Sequence, residues 1–198
     1  MKMRMLGDAV LLKGSIPLFD VVSATSGPQT LYDSAVDPAS FGGNITVVAA
    51  NYQEYIVQSS SFHYVPNVGT TTSGKIWAAY FDNPEVIYRM LNNLTTDPYV
   101  LIKRASTVHC WPVWAEKTMV SPSNRRRRQF QIDKTPPYPY DAGKDYSLSL
   151  GVADIDRSVQ GSWFWFVEGA PAETNCGVVN VTAEVKLIGL QDSSISGV

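Results

Sequence analysis

Residues 178–188 set the strongest constraint on the fold. Val179, Val181, Ala183, Val185 and Leu187 alternate there with Asn180, Thr182, Glu184 and Lys186. A period of two puts the apolar set on one face of a β-strand and the polar set on the other, which a helix cannot do. The run therefore predicts a half-buried strand in a sheet with one solvated face. The same test, with a softer polar face, picks out Ile56, Gln58, Ser60, Phe62 and Tyr64.

The rest of the chain repeats this pattern in short pieces divided by Gly, Pro, Asn and Ser clusters, as an all-β sandwich does. Strands are expected at residues 10–13, 18–23, 30–32, 55–65, 75–81, 100–104, 129–132, 162–168 and 178–188. Trp163, Phe164, Trp165, Phe166 and Val167 do not alternate, so both faces of that strand must be covered. One cover is the sandwich core and the other a neighbouring subunit or a covering loop. Helix signals are few. Asn83-Pro84-Glu85 supplies an N-cap, a first-turn proline and a first-turn acid ahead of residues 86–92, and residues 46–53 form a second candidate.

At 198 residues one core suffices without covalent staples. Charged residues are only 17% while aromatics reach 11%, so much of the surface must be hidden, and packing against copies of itself does this. Cys110 and Cys176 are too few for a disulfide framework or a four-cysteine zinc site. No apolar run approaches a membrane span, and Asp8, Lys13 and Asp20 break up the N-terminal apolar residues, against a signal peptide. The Asn-x-Thr sequons at Asn44, Asn93 and Asn180 are then read as chance.

Several motifs need weighing. Gly69 to Lys75 matches the first seven positions of a phosphate-binding P-loop, but Ile76 follows where a hydroxyl should hold magnesium. Residues 76–81 also read as a strand, which removes the helix dipole such a loop uses. It reads as a polar inter-strand connection. His63 and His109 are the two histidines. His109 beside Cys110 makes no catalytic pair, because neighbours on a strand face opposite sides.

No nucleophile elbow or zinc-protease helix is present, and the expectation is that the chain is not an enzyme. Arg125, Arg126, Arg127 and Arg128, half of the chain's arginines, enter a strand together. Four adjacent guanidiniums repel one another, which leaves three readings: contact with RNA phosphates, pairing with acids of a neighbouring copy, or a solvated basic loop. Asp82 and Glu85 place two carboxylates at a strand end, three residues apart, as part of a site for a hard cation.

Residues 52–85 carry a recognisable pattern. A Tyr leads a strand ending in Phe62-His63-Tyr64-Val65-Pro66; Thr70 to Thr72 and Gly74 form a Thr-rich turn; a second strand closes on Asp82 and Glu85. This resembles the shell domain of tombusvirus- and sobemovirus-like icosahedral virus coat proteins. Residues 108–112 are similar to that family's aromatic-proline stretch, and Gly177 ahead of the last alternating run to its closing strand.

The resemblance implies an all-β, eight-stranded antiparallel jelly-roll sandwich with one or two short helices in connections, spanning residues 8–190 between tails at 1–7 and 191–198. It implies a capsid protein that self-assembles around viral single-stranded RNA, in virions assembled in the host cytoplasm. It further implies Ca2+ bridging subunits through Asp82 and Glu85, although Glu85 stands where a second Asp is usual. Two departures mark this chain: only Lys2 and Arg4 stand where relatives carry a long basic arm, and nothing after Val198 leaves room for a protruding domain. A compact shell-only protein is expected. The alternative is a lectin-like jelly roll using Trp111, Trp114, Tyr138 and Tyr140 on sugar rings.

Overall fold

The computed structural model describes residues 2–6, 9–25, 30–122, 128–129 and 159–190. Within them the strands are β1 (Lys2–Leu6), β2 (Ala9–Val22), β3 (Tyr32–Ala35), β4 (Tyr52–Pro66), β5 (Lys75–Phe81), β6 (His109–Pro112), β7 (Lys117–Val120), β8 (Arg128–Gln129), β9 (Ser162–Glu168) and β10 (Asn175–Leu190). The helices are α1 (Gly43–Ala49), α2 (Pro84–Leu91) and α3 (Pro98–Arg104). One sheet runs β1-β2-β10-β4-β7, with β8 also paired to β4, and the other runs β3-β9-β5-β6. All pairings are antiparallel. Without β1 and β8, the remaining strands form two facing four-stranded sheets in the interleaved order of a jelly roll.

The alternation in the last strand has the expected consequence. Val179, Val181, Ala183, Val185 and Leu187 are all buried, and β10 sits between β2 and β4. In β4 the expected phase holds only in part. The register slips between the Glu184–Ser59 and Val185–Val57 pairs, so Gln58 is an extra residue in β4. Ser60, Phe62 and Tyr64 face inward above this bulge, whereas Tyr55 and Val57, not Ile56 and Gln58, face inward below it. A second slip in β2 falls between Phe19 and Pro17, and a proline without an N–H is tolerated at such an irregularity.

Residues 100–104, expected as a strand, belong instead to α3. Asp97 accepts a hydrogen bond from the Val100 amide at 3.0 Å and Pro98 occupies the first turn. The local capping outweighs the short apolar run Val100–Ile102. The helix at Asn83 forms as expected: Asn83 Oδ1 accepts from the Glu85 amide at 2.9 Å and the Val86 amide at 3.4 Å. The other helix spans Gly43–Ala49 rather than 46–53. Residues 2–6, where only a tail was expected, pair along β2 as β1.

The core has two parts. Trp163 and Trp165 of β9 pack between the sheets with Phe62, Tyr64, Trp111 and the inward face of β10. Phe164 and Phe166, on the opposite side of β9, pack with Ile87 and Met90 of α2 and Ile102 of α3. The second cover for this aromatic strand is therefore intramolecular, supplied by two helices. Fully burying each such side chain contributes about 1.5–3 kcal/mol, and the four aromatics of β9 make this strand a main source of stability.

Candidate functional site

The two sheets present different outward faces. On the four-stranded sheet, α2 and α3 lie against β5 and β9. The margin of that face is tied by charge: Lys103 of α3 donates to Glu168 of β9 at 2.5 Å, and Trp77 Nε1 donates to the same carboxylate at 2.8 Å. Lys103 also stands 5.1 Å from the Trp77 ring centre, a cation–π distance. The hydrogen bond from Lys103 holds the Glu168 carboxyl below the usual carboxylate range.

On the six-stranded sheet the outward positions mix polar groups with apolar ones such as Leu11, Ile56 and Val120. Thr182 donates to Ser15 at 3.0 Å, and His63 Nδ1 lies 2.8 Å from the Thr118 hydroxyl. Lys13 pairs with Glu184 at 3.6 Å. Met3 and Met5, opposite buried Leu12 and Val10, lie on the core side of β1 yet are 60% and 66% exposed.

Asp82 and Glu85 sit where β5 turns into α2, and both are exposed. The Asn83 cap fixes this corner, and Glu85 also pairs with Arg89 one helical turn on, at 3.2 Å. Among the described residues no cluster of three or more His, Cys, Asp or Glu is placed to hold a metal. Their hard oxygen chemistry suits calcium, but two carboxylates fall well short of the six to eight oxygens it takes. Arg128 enters β8 opposite Tyr55, at the end of β4 farthest from Pro66. Arg125, Arg126 and Arg127 lie outside the described residues.

Other sequence candidates fall to structural roles. Residues 69–74 form the loop between β4 and β5, and Lys75 starts a strand rather than a helix. His109 tilts against Trp163, with ring centres 5.7 Å apart, while its neighbour Cys110 is exposed. Of the aromatics considered for sugar stacking, Trp111 is buried in the core and Trp114 is 39% exposed. Tyr138 and Tyr140 lie outside the described residues.

A two-sheet jelly roll with helices against one sheet and an open face on the other is an architecture shared by capsid shell domains and lectins, so the fold alone does not choose between them. The family model for viral coat protein (S domain) matches residues 13–191, so the chain belongs to that family and is a capsid protein, a component of the virion. Solved structures agree on the fold. Tobacco necrosis virus matches at a TM-score of 0.76 with 12% identity, over 98% of this chain and 89% of that one. Cocksfoot mottle virus matches at 0.72 with 13% identity, over 97% and 90%. Cucumber necrosis virus matches at 0.71 with 18% identity over 94% of this chain, which spans only 58% of that longer chain. No curated protein matches this sequence. The lectin-like alternative is not favoured by these relationships.

Proposed function

We propose that copies of this chain associate into a closed icosahedral shell around single-stranded RNA, in the host cytoplasm, and that the role is structural rather than enzymatic. The observation that carries this reading is the apolar surface left at the margins of a complete core. Met3 and Met5 on β1, Val120 at the end of β7 and Leu190 at the end of β10 are each at least 60% exposed. A neighbouring copy covering such margins supplies affinity, while surface charges set the register of contact. The arginines at 125–128 add sequence-blind attraction for RNA phosphates.

Asp82 and Glu85 supply part of a calcium site, completed by oxygens of an adjoining copy. In that arrangement the two carboxylates are held at the subunit margin by the Asn83 cap, and the ion neutralises their repulsion of an acidic neighbour. Light scattering of purified protein with and without chelator tests the pair. Chelator is expected to swell or loosen the particles, and an Asp82→Asn, Glu85→Gln variant to form particles indifferent to chelator. Wild-type particles equally indifferent would remove calcium from the account. Nuclease-resistant RNA inside purified particles is expected, and its absence would remove the packaging reading.

A further inference from the structure

We propose that the outward face of the six-stranded sheet, through Lys2, Arg4, Lys13 and Lys186, is a second RNA-contacting surface, which makes this sheet the inner wall of the shell. The inference rests on the RNA-enclosing reading above and goes beyond it in naming the face and its residues.

Strand register brings these cations together from three separate stretches of sequence. Lys2 pairs with Lys13, and Lys13 with Glu184. Arg4 pairs with Leu11, Leu11 with Lys186, and Lys186 with Ile56. Directly paired residues point to the same side of a sheet, and neighbouring strands are about 4.8 Å apart. The four cations therefore occupy two adjacent rows across β1, β2 and β10. Their side is set by the buried residues between them, since Val10, Leu12, Val185 and Leu187 face the core. Lys2, Arg4 and Lys13 are exposed.

The acids on this face are three: Glu184, already paired with Lys13; Glu54, opposite Ile188 at the sheet's end; and exposed Asp20 of β2, opposite Val178 toward the other end. Cations outnumber acids here although the whole chain carries a net charge of -2. Further along the same face the rows hold Ser15, Thr182 and Ser61, then Asn180, His63 and Thr118, groups that hydrogen-bond phosphate and sugar oxygens.

Two further features favour an extended polyanion over a compact ligand. Among the described residues no helix covers this face; α2 and α3 pack on the other sheet and α1 contributes Ile45 and Ala49 to the inter-sheet core. An open sheet with spaced cations suits a strand of phosphates rather than an enclosed small molecule. β1 thus holds Lys2 and Arg4 in register with the other cations instead of leaving them on a free tail.

The test compares wild type with a Lys2→Gln, Arg4→Gln, Lys13→Gln, Lys186→Gln variant of the full chain. Binding of a labelled single-stranded oligouridylate is measured against salt, and RNA content is read from the absorbance ratio of purified particles. Each lost phosphate contact flattens the log–log salt slope by about 0.7, or roughly 3 for four. The affinity lost between about 50 and 200 mM salt then shrinks by roughly 50-fold.

A control variant, Lys75→Gln with Arg104→Gln on the opposite side of the sandwich, should leave the slope unchanged. Should the fourfold variant fold poorly, Lys2→Gln with Arg4→Gln on the exposed β1 should flatten the slope by about 1.4, and Glu184→Gln should strengthen binding. Wild-type slopes in the Lys2, Arg4 variant or the fourfold variant would overturn the inference while leaving the arginine run as the RNA contact. A wild-type chain that neither binds the probe nor packages RNA would instead overturn the parent reading.

Discussion

Gly177 opens the regular pairing of β10, opposite Pro66 of β4 and Val21 of β2. A Cβ built there would lie 2.6 Å from Tyr64 Cε2 and 2.7 Å from Tyr64 Cζ, and would also strike the Val65 carbonyl oxygen. Neither obstacle can yield cheaply. The Val65 oxygen belongs to the β4 backbone paired with β10. The Tyr64 ring is fully buried, and its hydroxyl lies 2.6 Å from both the Val113 and the Cys176 carbonyl oxygens. Gly177→Ala must therefore shift a strand or break the tyrosine's anchorage.

Overpacking of this kind typically costs 1–3 kcal/mol, and the backbone clash places this case near the top of that range, about 3 kcal/mol. For a chain of this size that is a fall in Tm of roughly 6–12 °C. Gly69→Ala is the matched control, because a Cβ at Gly69 meets nothing within 4 Å. It should be neutral or stabilising by up to about 1 kcal/mol through loss of unfolded-chain entropy. Thermal and urea denaturation of dissociated subunits at fixed concentration make the comparison, since assembly adds its own stabilisation. A Gly177→Ala protein within about 0.5 kcal/mol of wild type would refute the argument that close approach, not chain flexibility, requires glycine here.

Tyr64→Phe keeps the ring and removes the hydroxyl, leaving the Val113 and Cys176 carbonyls without that donor; a loss of about 1–3 kcal/mol is expected by urea denaturation. Glu168 has a carboxyl pKa depressed chiefly by the Lys103 hydrogen bond, so its contribution is present above the unfolded-state value of 4.5 and fades as pH falls through the lower folded value. Glu168→Gln should accordingly narrow its stability gap to wild type as denaturation is repeated at decreasing pH, and a gap that widens on acidification would contradict the ion-pair reading.

Much of the fold was legible because its strands obey local rules. β5, β9 and β10 follow from residue type and period, and α2 from its Asn-Pro cap. The same grammar at Asp97-Pro98 was hidden by the β-branched and aliphatic run behind it, which is why α3 reads as a strand. The phase switch in β4 leaves no local mark, since it arises from the extra residue Gln58 against β10. β2 reads as two pieces because Gly14 and Pro17 interrupt it, whereas cross-strand pairing carries it through.

The candidate sites divide the same way. Asp82 and Glu85 are neighbours in sequence and were visible as a pair. Lys2, Lys13 and Lys186 are joined only by strand register, which no window of sequence contains.

The central claim is that this jelly roll is the building block of a closed shell. Electron microscopy of the purified chain, sampled across calcium, pH and salt, tests it most directly. Closed particles of uniform size, with the four-stranded sheet and its helices facing outward in the reconstruction, are the expected result. A protein that stays monomeric under every condition would contradict the account.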